Sequence, residues 1–270
     1  MKIPGKKLIP FWLGKKMRGG WQKYLSVKYK GTDYYCPYCG NSFKKFLPGG
    51  IDLPVLKEKE VIGGGYRENM LCPRCFSVDR DRLIYLFLKE KTNLFSAPLK
   101  VLHIAPEGCI RALLMSLPNI EYRSGVKYYE GYYYDRNVNL MDVTSLPFDS
   151  GSFDVVICNH VLEHIDDDRK ALNEIHRILK PGSWAILQVP ISQKLEETFY
   201  DPSIKTPEER EKAYGQFDHV RIYGQDYTKI IERQGFTAIR YSPYDESHDP
   251  EELKKYALNP IEILYVAYKS

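Results

Sequence analysis

Four of the six cysteines stand in two matched pairs, C-P-Y-C at Cys36 and Cys39 and C-P-R-C at Cys72 and Cys75. Paired C-x-x-C loops supply the four thiolates that a structural zinc ion takes in tetrahedral geometry. Four thiolates leave no open position, so such an ion would fold a small module rather than catalyse. Two disulfides or four free thiols are the competing readings, and a redox C-x-x-C is disfavoured by the presence of a second matched pair. Cys109 and Cys158 are isolated and read as small core residues. A second set of chemistry-bearing residues is polar. Asn159 and His160 end an apolar run, with Glu163 and His164 just after them. Further on comes Asp218-His219-Val220-Arg221. A histidine near neutral pKa and an arginine fork suit an anionic or hydroxyl-bearing substrate. The competing reading of that stretch is a salt-bridged lid without chemistry. For His164 the expected role is helix capping or backbone bonding, and His160 is the better candidate for an active site.

The elements that must position these residues follow from periodicity. Phe153 to Cys158 is a short, β-branched apolar run, a buried strand. Leu172, Ile175, Ile178 and Leu179 recur at helical spacing. Asp166, Asp167 and Asp168 sit in the first turn of that helix, where its dipole favours negative charge. Lys180 is placed in its last turn, with Pro181-Gly182 as the stop. Trp184 to Val189 reads as the next strand, which completes a β-α-β unit of a parallel sheet. Ligands bind at the carboxyl edge of such sheets, where Asn159 and His160 stand. Upstream, Arg80–Lys91 reads as a helix, Leu99–Ala105 as the first strand and Glu107–Leu117 as the helix after it. Ile120–Val126 and Val138–Val143 read as the second and third strands. Downstream, 190–224 is long and irregular except for a charged helix at Pro207–Tyr214, and a loop of that length is usually functional. Asp226–Gln234 reads as a late helix, and Phe236–Tyr241 and Ile261–Tyr268 as the last strands.

The wording of these segments resembles a known family. FDVVICNHVLEHI followed by EIHRILKPGSW is similar to the core of class I S-adenosylmethionine-dependent methyltransferases, of the type 11 kind. LKVLHIAPEG at Leu99 to Gly108 stands where that family has its first strand and cofactor loop, and MDVTSLPFDSGSFD stands where it carries an adenine-contacting acid. The resemblance runs from about residue 98 to 268 and implies a Rossmann-like, doubly wound, seven-stranded, mostly parallel sheet. It implies cofactor contacts from His103, Ala105, Glu107, Gly108, Asp142, Val143, Asn159 and His160. Asp142 would accept the adenine amino group, with Val143 and Thr144 flanking the ring. Asn159 and His160 would lie beneath the sulfonium, and the stretch around His219 and Arg221 would close over the acceptor. The candidate catalytic residues are therefore His160, His219 and Arg221. Two places depart from the family pattern. Ala105, Glu107 and Cys109 stand at its glycine positions and His103 replaces its acid. The end of strand two, Ser124 to Lys127, lacks the ribose-clasping acid, for which Glu130 is the nearest downstream candidate.

The expected organisation is a basic, aromatic arm (1–30), a zinc-ribbon-like module (31–78), a linking helix (79–97) and the methyltransferase-like domain (98–270), with a lid around 190–224. The arm interleaves Lys6, Lys7, Lys15, Lys16, Arg18, Lys23, Lys28 and Lys30 with Phe11, Trp12, Trp21 and Tyr24. It either packs on the body or meets phosphate or an anionic surface. Net charge is only +4, which does not by itself argue for nucleic acid. Twenty-two tyrosines are many for 270 residues, and those at 128–134 read as a cleft-rim loop. No apolar run is long enough to span a membrane, and reduced thiols fit the cytoplasm. The expected cofactors are S-adenosylmethionine and structural zinc, and the favoured partner is a small or sugar-like acceptor. RNA is the alternative acceptor, suggested by the module and arm. A non-catalytic binding protein is a third reading, motivated by the altered cofactor loop. The sequence is silent on oligomeric state.

Overall fold

The computed structural model describes residues 11–127, 139–246 and 248–270. Its centre is a seven-stranded sheet. The strands in chain order are β1 (Leu99–Ile104), β2 (Ile120–Val126), β3 (Asn139–Leu140), β4 (Phe153–Cys158), β5 (Leu179–Ile186), β6 (Phe236–Tyr241) and β7 (Leu264–Lys269). Across the sheet they run β6-β7-β5-β4-β1-β2-β3. Neighbours among β1 to β5 are parallel, and β7 is antiparallel to both β5 and β6. After β1 the chain winds outward to β2 and β3, then returns to place β4 on the other side of β1. The strand order therefore reverses between β1 and β4, and the loops leaving their carboxyl ends part to open a crevice.

Beside two short helices at Pro54–Glu58 and Pro250–Lys255, the described residues form α1 (Phe11–Lys28), α2 (Asp79–Lys91), α3 (Gly108–Ser116), α4 (Asp168–Ile178), α5 (Pro207–Tyr214) and α6 (Tyr227–Glu232). Strand alternation splits the core into two layers. Leu102, Ile104 and Val156 face α4 and α6, meeting Leu172, Ile175, Ile178 and Ile231. Val101, Val155, Ile157 and Val266 face α2 and α3, meeting Leu83, Ile84, Phe87, Ile110 and Leu114. Burying each such side chain stabilises the fold by about 1.5–3 kcal/mol. α2 is thus part of the body's core and more than a link. Cys109 and Cys158 are buried within these layers as free thiols.

Most element limits fall within one to three residues of the sequence reading, and β2, β4, α5 and β6 match it outright. The junction of α4 and β5 differs. The helix ends at Ile178, and Leu179 already pairs with Phe153 on β4. Lys180 belongs to the strand, where its Nζ donates to Asp154 Oδ1 at 2.7 Å. Pro181 cannot donate to the ladder and Gly182 takes φ +74, so the pair interrupts β5 rather than stopping a helix. The dipole argument holds at the other end, where Asp167 caps α4 by accepting from Lys170 N. Glu130, Val138 and the tyrosines from 128 to 134 lie outside the described residues.

The cysteine pairs join two short hairpins, one pairing Lys30–Cys36 with Asn41–Phe43 and the other Leu47–Gly49 with Arg67–Leu71. The chain between the pairs does not stay beside them. Val61–Ile62 crosses to pair with Ile191–Ser192 of the long segment after β5. Leu56 and Val61 share a small core there with Tyr214 and Ile222. Within that segment Phe199–Tyr200 pairs with Arg221–Ile222, and α5 bridges them with a Thr206–Glu209 capping box. The segments 51–65 and 190–224 thus lean on each other over the carboxyl edge of the sheet. Arg82 fastens the knuckles to the body. Its fully buried guanidinium donates to the carbonyls of Met70, Ser77, Tyr256 and Ala257 at 2.5–3.1 Å.

Candidate active site and cysteine cluster

The crevice after β1 and β4 is a cavity of about 410 Å³. Its walls are mostly apolar, with Ile104, Val126, Met141, Val143, Val161 and Ile165 inside and Phe217 on the outer side. Two features of the chain make this room. Ala105, at a glycine position of the family loop, adopts φ +50 and turns the backbone sharply after β1. Gly125 lets Met141 lie against β2, since a Cβ there would stand 2.1 Å from Met141 Cε.

Of the residues expected at the cofactor, Ala105, Val143 and His160 line this cavity. His103 does not. Its ring is fully buried behind the loop, with Nε2 2.8 Å from Glu107 Oε2 and Nδ1 3.2 Å from the Tyr122 hydroxyl. Burial acts to raise the Glu107 carboxyl, but the bond to and charge of His103, together with the Arg80 charge, hold Glu107 below its ordinary range. Together the two form an internal brace for the turn into α3, with Glu107 at the N-cap position and Gly108 opening the helix. Asp142 is exposed beside Val143 and accepts from both the backbone and the hydroxyl of Thr144 through Oδ1 (2.9 and 2.8 Å). Those bonds hold it below the usual carboxylate range and leave Oδ2 for a ligand. Asn159 is 2% exposed, and both its side-chain oxygen and nitrogen lack a hydrogen-bond partner among the described residues. Buried amides are seldom left so, which suits a site completed by a bound polar group.

A second cavity, of about 250 Å³, adjoins the first. His160 and His164 line both. Its other walls come from the segment between the cysteine pairs (Gly63, Gly64), from Arg80 on α2, and from Gln216 and His219. His160 sits just past β4 at φ +51, a conformation that costs energy and tends to mark working sites. Its Nδ1 lies 3.1 Å from Glu163 Oε1, and its Nε2 is buried without a partner. Gly63 must lack a side chain, because a Cβ would approach His160 Cε1 to 3.3 Å at a φ of +92.

Glu163 is the residue that sequence reasoning underrated. It is 1% exposed, and the rings of His160, His164 and His219 surround it. Burial acts to raise its carboxyl, but the imidazoles outweigh that and keep it ionised. His160 is held below its ordinary value by burial first and then by the Arg80 charge. His219 is pushed down to about 4 by burial, with His164 adding to the effect. His164 goes the other way. Burial would lower it, but Asp218, on its Nδ1 at 3.3 Å, and Glu163 raise it. One ligand atom from each of Glu163, His164 and His219 lies within 4.8 Å of the others, close enough to share a cation or a proton network.

Arg221 lies where the 190–224 segment meets α4. Its guanidinium pairs with buried Asp168 and donates to the carbonyls of Ile165 and Asp166 at 2.9 and 2.7 Å. Those bonds anchor the 190–224 segment to α4, and Arg221 also lines the second cavity, with its Nε buried and unpartnered among the described residues. The hydroxyl of Tyr223 joins the same Asp168 oxygen at 2.8 Å.

The four paired cysteines converge. Their sulfurs lie within 4.8 Å of one another, with Cys36–Cys75 at 3.5 Å and Cys39–Cys72 at 3.7 Å. A disulfide needs about 2.05 Å, whereas bonds of about 2.3 Å to one zinc put tetrahedral sulfurs about 3.8 Å apart. The knuckles match each other. Gly40 N donates to Cys36 O and Phe76 N to Cys72 O, both at 2.9 Å, with Gly40 and Phe76 at φ +66 and +59. Ser77 Oγ touches two sulfurs and Arg74 N donates to a third. Hydrogen bonds from Cys39, Cys72 and Cys75 pull the Cys36 thiol far below an ordinary cysteine.

Residues 124–187, from the end of β2 to the end of β5, match the family model described as a methyltransferase domain. The 2-phytyl-1,4-naphtoquinone methyltransferase of Nostoc punctiforme is 41% identical over 46 residues, 17% of this chain and 20% of that protein. The demethylmenaquinone methyltransferase of Staphylococcus epidermidis is 42% identical over 52 residues, 18% of this chain and 22% of that protein. This chain thus spans about a fifth of the length of the curated relatives it matches. Among solved structures, the [4+2]-cyclase SpnF superposes with a TM-score of 0.47 at 14% identity, covering 70% of this chain and 81% of its own. The family match takes in β4, α4 and β5, and the fold that the resemblance implies, a Rossmann-like, mostly parallel seven-stranded sheet, is the one observed.

Proposed function

We propose that this protein is an S-adenosylmethionine-dependent methyltransferase acting on a small-molecule acceptor. The observation that carries the reading is the pair of adjoining cavities at the β1–β4 switch point, which share His160 and His164. The larger would take the adenosyl group among Met141, Val143 and Ile165, and Asp142 and Asn159, each next to a lining residue, would supply polar contacts. When bound there, the cofactor supplies an activated methyl group for in-line transfer. The chain's part is alignment, which can lower the barrier by several kcal/mol. Glu163 Oε1, 3.1 Å from His160 Nδ1, would favour the proton on Nδ1 and so leave Nε2 basic. His160, or His219 across the cavity, takes the proton of an acceptor hydroxyl, and ionised Glu163 stabilises the imidazolium that forms.

An acceptor cavity of about 250 Å³, walled by two segments, favours a small or sugar-like molecule over a polymer. The matched quinone methyltransferases act, by their names, on small molecules as well. RNA remains the second reading because α1 is basic and displays Trp21 and Tyr24, stacked at 5.3 Å and about half exposed. Cys36, Cys39, Cys72 and Cys75 would hold structural zinc. The division into arm, module, α2 and methyltransferase domain is proposed with it, and free thiols fit the cytoplasm. No described helix is long and apolar enough to cross a membrane. Calorimetric titration with S-adenosylhomocysteine tests the reading. Micromolar binding that Asp142→Ala weakens supports it, and absence of binding in folded, zinc-loaded protein overturns it.

A further inference from the structure

Three arginines border the cysteine knuckles, and their partners differ. Arg67 forms a two-pronged pair with Asp79 at 2.6 and 3.0 Å. Arg82 spends its donors on four carbonyls. Arg80 has neither arrangement. Its Nη1 donates to Gly63 O at 3.2 Å, and its Nε is buried with no partner. Among the described residues no carboxylate oxygen lies within ion-pair distance of it.

A guanidinium carries five donors in a planar fork that matches carboxylate and phosphate oxygens. Asp81, Glu107 and Glu262 offset the Arg80 charge at longer range, but none of them meets the fork, and a directly bound anion would complete it. Arg80 lines the smaller cavity with Gly63 and Gly64 and does not line the larger one. The absence of side chains at those two positions leaves the approach to the fork open. The sole acid on that lining is Glu163, whose Oε1 lies 3.1 Å from His160 Nδ1. The Arg80 charge is also felt across the cavity, since it helps to hold His160 neutral.

We propose that the acceptor is an oxyanion-bearing molecule of about sugar size, whose carboxylate or phosphate docks on the Arg80 fork while a hydroxyl faces His160. This rests on the methyltransferase reading for the identity of the cavity, but the anion site itself is independent of it. Arg80 would then be a specificity residue contributed by the helix that follows the second knuckle. That would explain why the segment between the knuckles is folded over the active site.

The test is calorimetric titration of the zinc-loaded protein with D-glucuronate, inorganic phosphate and neutral glucose at low ionic strength. It is run with and without saturating S-adenosylhomocysteine, in wild type, Arg80→Gln and Arg80→Lys. The expected result is that at least one anion binds ten-fold or more tightly than glucose, and that Arg80→Gln abolishes this preference. Arg80→Lys keeps the charge without the fork and should retain part of it, which also serves if the Gln variant folds poorly. Preference for glucuronate identifies a carboxylate, and preference for phosphate a phosphate ester. Equal binding of glucose and both anions in wild type, or an unchanged preference in Arg80→Gln, overturns the proposal. Failure of S-adenosylhomocysteine to bind wild type would instead remove the methyltransferase reading, and the ligand-free titrations would still decide the anion site.

Discussion

Replacing Arg82 with methionine keeps the length of an apolar stem but removes every donor. Four carbonyls lose a bond, those of Met70, Ser77, Tyr256 and Ala257. Ser77 O keeps a second donor, Cys72 N at 2.9 Å, so the other three carry most of the loss. A buried acceptor stripped of its donor costs about 1–3 kcal/mol. Relaxation and the relief of burying a charge offset part of the sum, which leaves about 3–5 kcal/mol. The stacking of the guanidinium on Phe46, 4.5 Å from the ring centre, goes as well. For a domain of this size each kcal/mol lowers Tm by about 2–4 °C, so scanning calorimetry should show a fall of about 6–20 °C. Arg82→Lys should fall in between, because an ammonium cannot reach carbonyls on three sides. The loss should fall on the knuckle module first, so the metal content of the purified variant should drop with Tm. A Tm change under about 2 °C in Arg82→Met would refute the reasoning that this guanidinium ties the module to the body.

Other perturbations should act on separate parts. Gly125→Ala forces Met141 into the larger cavity, and S-adenosylhomocysteine affinity should fall about ten-fold by calorimetry; an unchanged Kd would mean Met141 does not border the ligand. His219 is pushed down to about 4 in the folded protein, from an ordinary value of 6.5. Its depressed value means the folded state binds fewer protons, so its contribution is complete above pH 6.5 and is lost as pH falls toward 4. His219→Asn should therefore flatten the decline of Tm between pH 6.5 and 4, and a parallel decline would show that the ring is not buried neutral. Cys72→Ser removes one of four converging sulfurs and should lower zinc content measured by plasma emission from about one ion per chain to well below it, whereas one ion retained per chain would place the metal elsewhere.

Periodicity made the sheet legible. β4 announces itself as a short, β-branched apolar run and α4 by apolar residues that recur at 3.6, and tertiary packing agrees with both. The junction after α4 was misjudged because Lys-Pro-Gly is a common helix stop, yet the backbone had already turned extended at Leu179. The crossing of Val61–Ile62 onto Ile191–Ser192 was not legible, since a two-residue pairing has no period to detect. That crossing brings the segment between the cysteine pairs to the wall of the smaller cavity. Glu163 was hidden for another reason. An acid in a short turn after a strand reads as a cap, and only the fold shows three imidazoles around it. Arg221 was recognisable as chemistry-bearing, but whether its fork would meet a substrate or Asp168 depended on a contact distant in sequence. His103 and Glu107 looked like cofactor ligands by position, yet they hold each other behind the loop.

The central claim is that the cavity between β1 and β4 takes the adenosyl cofactor, and hydrogen exchange with and without S-adenosylhomocysteine tests it most directly. The account predicts slowed exchange at residues 104–109, 141–144 and 159–165, with little change in β6 and β7. Protection confined to other segments, or none at saturating ligand, would contradict it.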